Sequence, residues 1–163
     1  MNTMKLFFGL TFATALATGL MAGVFFAFSS FVMKALGRLP AAEGISAMQS
    51  INMLAERSIF LVAFLGTAVA CLALAVASFW RLSSHSGWLM VAGAAIYLLG
   101  CVAVTMICNV PMNNSLATMP AADPATTTYW TTTYLPQWTF WNHVRTVACL
   151  LSSGLLTWAL RCP

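Results

Sequence analysis

Residues 59–80 read IFLVAFLGTAVACLALAVASFW, a run of 22 residues without a charged side chain. A helix needs about 20 apolar residues to cross the hydrocarbon core of a bilayer, so this run is long enough to span a membrane. Three similar runs, with few or no charges, cover residues 6–33, 88–110 and 138–160. Their apolar residues are continuous rather than alternating, which argues against a transmembrane barrel. The pattern predicts an all-α, four-helix transmembrane bundle.

The composition supports an integral, multi-pass membrane protein. The chain has 163 residues, of which 61% are hydrophobic and only 6% are charged. A soluble domain carries about 25% charged residues, so this chain cannot cover a soluble surface and the lipid bilayer is its expected partner. The net charge of +4 is scattered, without a Lys/Arg run, which excludes nucleic acid as a partner. We expect a single domain over residues 1–163.

The loops predict an up-down-up-down topology. The short polar turn at residues 81–87 makes the second and third spans antiparallel neighbours. One side then carries both termini with Lys5, Arg81 and Arg161, and the other side carries Lys34, Arg38 and Arg57. These positive charges are nearly balanced. If Arg57 belongs to a polar site instead of a loop, the side with the termini carries more positive loop charge. We therefore expect both termini in the cytoplasm.

Helix boundaries follow from proline and from polar composition. Residues 41–58 have helical spacing and are predicted to continue into the second span as one helix. Pro111 is expected to interrupt the third span near its end, because proline lacks a backbone donor. Residues 112–137, rich in Thr and Tyr, are predicted to form a long capping loop between helices 3 and 4.

Polar residues collect at one end of the predicted spans. They are Asn52, Glu56, Arg57, Asn109, Asn113, Asn114, Trp138, Trp141, Asn142, His143 and Arg145. Polar groups at membrane depth are costly, so such a cluster is typical of a site or of groups that pair with each other. The second and fourth spans begin at this end, and their positive dipole ends are expected to point at it.

The residue types leave two interpretations open. Glu56 and Arg57 can neutralise Arg145 in a structural ion-pair network. Alternatively, Arg145 and the Asn amides form a site for a developing oxyanion, with His143 or Glu56 removing a proton. On a helical wheel, Asn142 and Arg145 share a face, whereas His143 points about 140° away.

Metal and haem chemistry have little support in the sequence. No HxxxH, ExxH or Cys/His cluster occurs, and isolated ligands are weak evidence for a metal centre. If a metal or haem is present, His143 is the first candidate ligand.

Four segments together resemble the anthrone oxygenase-like family of small four-helix membrane proteins. They are GLMAGVFFAFSSF at residues 19–31, MQSIN at 48–52, NVPMNNSL at 109–116 and WTFWNHVRT at 138–146. The resemblance implies oxidation of an anthrone to an anthraquinone with O2 as co-substrate and without an obvious cofactor.

By this resemblance, His143 is the base with Glu56 as its rival, and Arg145 stabilises the oxyanion. The substrate-binding residues would be Asn52, Asn109, Asn113, Asn142, Trp138, Trp141 and Phe28. The expected function is a membrane oxidoreductase acting on a small hydrophobic aromatic, anthrone- or quinone-like substrate. The alternatives are a non-catalytic membrane binding or assembly protein and a haem- or metal-dependent membrane enzyme. Small residues spaced by four in the first helix also allow a homo-oligomer.

Overall fold

The computed structural model describes residues 3–162, and no strand occurs among them. The helices are α1 (Thr3–Ala27), α2 (Met33–Leu36), α3 (Ala41–Glu56), α4 (Ile59–Phe79), α5 (His85–Tyr97), α6 (Val110–Ala117), α7 (Pro124–Tyr129) and α8 (Leu135–Ala159). Segments of π-helix join several of these without a break: Phe28–Val32, Leu98–Ala103, Thr105–Asn109 and Trp130–Tyr134. The all-α prediction is confirmed.

Among residues 3–162, three continuous helical units are long and apolar enough to cross a membrane. They are Lys5–Leu36, Ile59–Phe79 and His85–Ala117. Their outer faces expose large apolar side chains such as Leu20, Val69 and Ile107. Such a surface is unfavourable in water and fits a lipid environment. The chain therefore has the character of a membrane protein.

Helix α8 has 25 residues, is more polar than these three units and packs between two of them. It contacts α1 and α5 along much of its length, and α4 packs against the same two helices. The side chains of Asn142, Arg145 and Ser152 are buried in these contacts. A Cβ atom built on Gly100 would lie 2.6 Å from the Cβ of Ala148, so the backbones of the third unit and α8 approach closely.

The predicted single helix over residues 41–58 and the second span is wrong. Helix α3 ends at Glu56, and Ser58 begins a new helix as its N-cap. The Ser58 hydroxyl accepts a hydrogen bond from the amide of Phe60 at 3.2 Å. This bond satisfies one of the free donors of the first turn of α4, which stabilises a helix start at this position.

The predicted capping loop over residues 112–137 is also wrong, since most of this segment is helical. The third helical unit continues past Pro111 to Ala117, and the π-helical turn Thr105–Asn109 lies directly before that proline. A new helix begins at Pro124, where the carboxylate of Asp123 accepts from the amide of Ala125 at 2.8 Å. Aspartate at the N-cap and proline in the first turn favour this start. Helix α8 thus continues from α7 through the π-helical segment, so this helix begins at Pro124 and not at Trp138 as predicted.

Packing divides the bundle into three apolar clusters along its length. One lies near the chain termini around Leu74 and Leu156, and one in the middle around Phe64 and Tyr97. The third lies at the polar end, around Met48 and Trp138. The candidate site lies between the middle cluster and the polar-end cluster, and residues of both line it.

Candidate functional site

A cavity of about 360 Å³ lies inside the helices at the polar end. Its walls are mostly apolar and aromatic: Phe25, Phe28, Met48, Ile51, Ala55, Phe60, Leu61, Phe64, Leu65, Met106, Val110 and Trp138. Six polar side chains complete the lining: Asn52, Glu56, Thr105, Asn109, Asn113 and Arg145. Cavities of about 300–1,000 Å³ with apolar walls and a few convergent polar groups are typical of small-molecule sites.

Arg145 is the only cation that lines this cavity among the described residues, and only 4% of it is exposed. Its Nη2 donates to Asn142 Oδ1 at 2.8 Å, and its Nη1 donates to Thr105 Oγ1 at 3.3 Å. The guanidinium carbon lies 4.4 Å from the ring centroid of Phe25 and 5.0 Å from that of Trp138. All these contacts are neutral, so hydrogen bonds and cation–π contacts stabilise the charge without a counter-ion.

Asn142 holds Arg145 in position from the side that faces away from the cavity. The Asn142 amide nitrogen donates to the carbonyl of Phe25 and to Ser29 Oγ, both at 2.7 Å. Thr146 donates its hydroxyl proton to the backbone carbonyl of Asn142 at 2.8 Å. The Ser29 hydroxyl is therefore the donor in its contact with the Thr146 hydroxyl. The side-chain polar groups of Asn142, Ser29 and Thr146 all have partners, which gives the guanidinium a rigid support.

Two polar atoms beside the cavity have no hydrogen-bond partner among the described residues. Arg145 Nε is a buried donor, and Asn109 Oδ1 is a buried acceptor. The Asn109 amide nitrogen donates to the carbonyl of Trp138 at 3.3 Å, which fixes the orientation of the amide. An unsatisfied buried polar group is costly, so these two atoms indicate where a ligand or a water molecule would bind.

Asn113 is held by two donors at the other side of the cavity. Its Oδ1 accepts from the Tyr134 hydroxyl at 2.8 Å and from Trp138 Nε1 at 2.9 Å. Burial raises the pKa of the Tyr134 hydroxyl, so the group stays protonated and donates. Asn52 in turn donates to the Tyr134 oxygen at 3.2 Å. With its oxygen occupied, Asn113 has its amide N–H groups left as donors for the cavity that it lines.

Three residues separate the cavity from a polar outer groove of about 500 Å³. Asn52, Glu56 and Asn113 line both spaces. Glu56 is exposed and supplies the one carboxylate of the cavity lining. Its carboxylate therefore borders both the cavity and the outer groove.

Comparison with protein-family models gives a match to the model described as anthrone oxygenase, over residues 59–155. The match covers more than half of the chain. The chain belongs to the anthrone oxygenase family. The search of curated proteins found no match, and neither did the search of solved structures. The region matched by the family model contains the cavity residues Asn109, Asn113 and Arg145, whereas Asn52 and Glu56 lie outside it.

In this anthrone oxygenase family member, most of the predicted site residues lie together. Those that line one cavity are Phe28, Asn52, Glu56, Asn109, Asn113, Trp138 and Arg145. Asn142 lies behind Arg145 and does not line the cavity. The predicted ion-pair network is not what joins them, because no carboxylate pairs with Arg145 among residues 3–162.

His143 and Trp141 are the two predicted residues that lie elsewhere. His143 is exposed on the opposite side of α8, as the helical wheel predicts, and lines a separate surface groove. Trp141 packs edge-on against Phe140, and it does not line the cavity. A proton transfer between His143 and a ligand in the cavity does not fit this geometry.

The positions of the candidate ligands for a metal or haem can also be read from the structure of this family member. His143, the first candidate ligand, lies outside the cavity. Within the described part of the chain, no three His, Cys, Asp or Glu side chains lie close enough to hold a metal ion.

The sequence patterns do not predict Thr105 and Tyr134 as site residues. Thr105 and Tyr134 both belong to π-helical segments, which are frequent at functional sites. Tyr134 lies in the segment predicted to be a loop, although it precedes Trp138 by four residues and stacks on it with ring centroids 6.5 Å apart. That i,i+4 aromatic spacing was the available signal for a helix through this segment.

Proposed function

We propose that this protein is a membrane oxygenase that oxidises a flat, hydrophobic, anthrone- or quinone-like aromatic substrate with O2 in the cavity beside Arg145. The observation that carries the proposal is the buried guanidinium with only neutral partners. A cation without a counter-ion in an apolar cavity favours a ligand that becomes negatively charged during the reaction. The family match supports the same reaction class.

For an anthrone, the reaction begins with loss of a proton from the ring methylene. The enolate that forms carries its negative charge on the oxygen and is electron-rich enough to transfer one electron to O2. Recombination forms a carbon–oxygen bond and a hydroperoxide, which loses water to give the second carbonyl. One anthrone and one O2 thus give one anthraquinone and one water. We propose that the protein requires no cofactor for these steps.

The cavity supplies a residue for each requirement of this scheme. Glu56 is the proposed base, because it lines the cavity and also faces the polar groove that can receive the proton. Arg145 is the proposed oxyanion partner, and the Asn113 amide supplies a second donor. The rings of Phe25, Phe28 and Trp138 form the slot for the flat substrate. His143 has no role in this scheme.

We further propose the membrane topology. Helix α8 would be the fourth span of an up-down-up-down bundle, with its polar side chains shielded by α1 and α5. Both termini then lie on one side, which we assign to the cytoplasm. The connections at the opposite end, with α3 and α7, lie beside the cavity entrance.

The test is oxygen uptake by the purified protein in detergent with an anthrone as substrate. We expect one O2 consumed for each anthraquinone formed, above the rate without protein, and loss of this activity in Arg145→Met. Tight anthrone binding without oxygen uptake would instead support a non-catalytic binding protein. A Soret band or stoichiometric metal in the active protein would overturn the cofactor-free scheme.

A further inference from the structure

A second groove lies on the outer surface at the polar end, on the side of α8 away from the cavity. It has a volume of about 580 Å³ and lies between the end of the first helical unit and the first turns of α8. A Cβ atom on Gly37 would contact the side chain of Leu135 at 3.4 Å, so these two elements touch at the base of the groove. Apolar side chains, including Met33 and Phe140, form much of its lining.

Three basic side chains line this groove: Lys34, Arg38 and His143. Lys34 lies in the last turn of α2, and Arg38 follows just after the end of the first membrane-spanning unit. Both are exposed, and neither forms an ion pair within residues 3–162. The groove therefore combines unneutralised positive charge with an apolar floor at the membrane boundary.

His143 has no polar partner among the described residues and has apolar neighbours on its face of α8. Phe140 and Val147, at i−3 and i+4, lie on the same helix face and are 57% and 55% exposed. This face of α8 is the one in contact with lipid if α8 crosses the membrane. His143 makes no hydrogen bond to any described residue. A polar side chain exposed to lipid is unfavourable unless it finds a hydrogen-bonding group.

We propose that this groove binds an anionic phospholipid. Lys34 and Arg38 would pair with the phosphate of the headgroup, while an imidazole N–H of His143 donates to a phosphate or ester oxygen. The first part of an acyl chain would lie against Phe140. Basic pockets at the membrane surface between helices bind anionic headgroups in this way. The inference depends on membrane insertion of α8 but not on the oxygenase activity, since the groove and the cavity lie on opposite sides of α8.

The experiment measures lipid binding directly. The full-length protein in detergent is titrated with phosphatidylglycerol, with phosphatidylcholine of the same acyl chains, and with inorganic phosphate. Binding is followed by the thermal unfolding midpoint and by native mass spectrometry. We expect phosphatidylglycerol to raise the midpoint and to remain bound at one lipid per chain, with little effect from the other two probes.

The variants Lys34→Gln, Arg38→Gln and His143→Gln should each weaken phosphatidylglycerol binding, by about fivefold for each of the first two. Lys5→Gln and Arg161→Gln, at the opposite end of the helix bundle, should bind the lipid as the wild type does. Equal binding of phosphatidylcholine would overturn the proposal, and so would an equal shift with inorganic phosphate alone. A dimer that covers the groove and excludes the lipid would also overturn it. Oxygen uptake is not used as a readout, so failure of the lipid site is distinguishable from failure of the oxygenase proposal.

Discussion

Arg145 Nη2 donates to Asn142 Oδ1 at 2.8 Å, and Asn142 is itself completely buried. The two residues are one helical turn apart on α8, but the Asn142 amide also bonds to the Phe25 carbonyl and to Ser29 Oγ. One side chain thus connects the cation of α8 to the first helical unit. The direction of the guanidinium in the cavity depends on how these two helices pack.

Replacing Asn142 with Leu should destabilise the protein by about 2–3 kcal/mol, because it removes the buried hydrogen bonds to the Phe25 carbonyl and Ser29 Oγ and leaves one guanidinium N–H without a partner. The free energy of unfolding in detergent, from denaturant titration, measures this effect. Asn114→Leu is the matched control, since Asn114 is exposed in the outer groove. We expect less than about 0.5 kcal/mol for the control. Equal losses in both variants would contradict the role assigned to Asn142.

Replacing Arg145 with Met should separate activity from stability. Removing an oxyanion donor lowers kcat by about 10²–10³-fold in other enzymes, and we expect a loss of this size in anthrone turnover. A buried charge without a counter-ion is costly, so a Met of similar length should leave the unfolding free energy unchanged or raise it. Turnover and unfolding are measured on the same preparation. A variant that loses stability in proportion to activity would make Arg145 a structural residue.

Much of the fold follows from local patterns in the chain. Long apolar runs identify the membrane-compatible helices, because a bilayer requires about 20 apolar residues irrespective of neighbouring helices. The helical wheel separates the buried Asn142 and Arg145 from the exposed His143, since the period of a helix is fixed. The grouping of the Asn, Arg and Trp residues at one end follows from antiparallel threading alone.

The remaining features depend on longer-range packing and on weak capping signals. The helix from Pro124 onward is rich in Thr, whose propensity is low, yet it buries Trp130 and Tyr134 against the polar-end cluster. Tertiary burial outweighs propensity there. Whether Glu56 or His143 lines the cavity depends on the helix break at Ser58 and on the rotation of α8. No sequence motif determines either of these features.

Replacing Glu56 with Gln should lower kcat for an anthrone by at least about 10²-fold, the usual contribution of a general base. Substrate binding should change little, since Gln keeps the shape of the side chain. Stopped-flow formation of the enolate, followed by its absorbance under anaerobic conditions, isolates the proton-transfer step. We expect enolate formation to be slowed in this variant.

Glu43→Gln is the matched control for Glu56. Glu43 lies on the same helix, is exposed, and does not line the cavity. It should form the enolate at the wild-type rate. If Glu56→Gln also keeps that rate, another group removes the proton and the proposed base is wrong.

Replacing Gly100 with Ala should destabilise the protein by about 1–3 kcal/mol, because the added methyl group would lie 2.6 Å from the Cβ of Ala148 and force α8 away. Ala148 is one turn from Arg145, so turnover should fall together with stability. Gly66→Ala is the control, since nothing lies within 4 Å of a Cβ at Gly66. Its higher helix propensity should raise the unfolding midpoint slightly. If the two variants shift the midpoint equally, the close approach of these helices does not limit the position of Arg145.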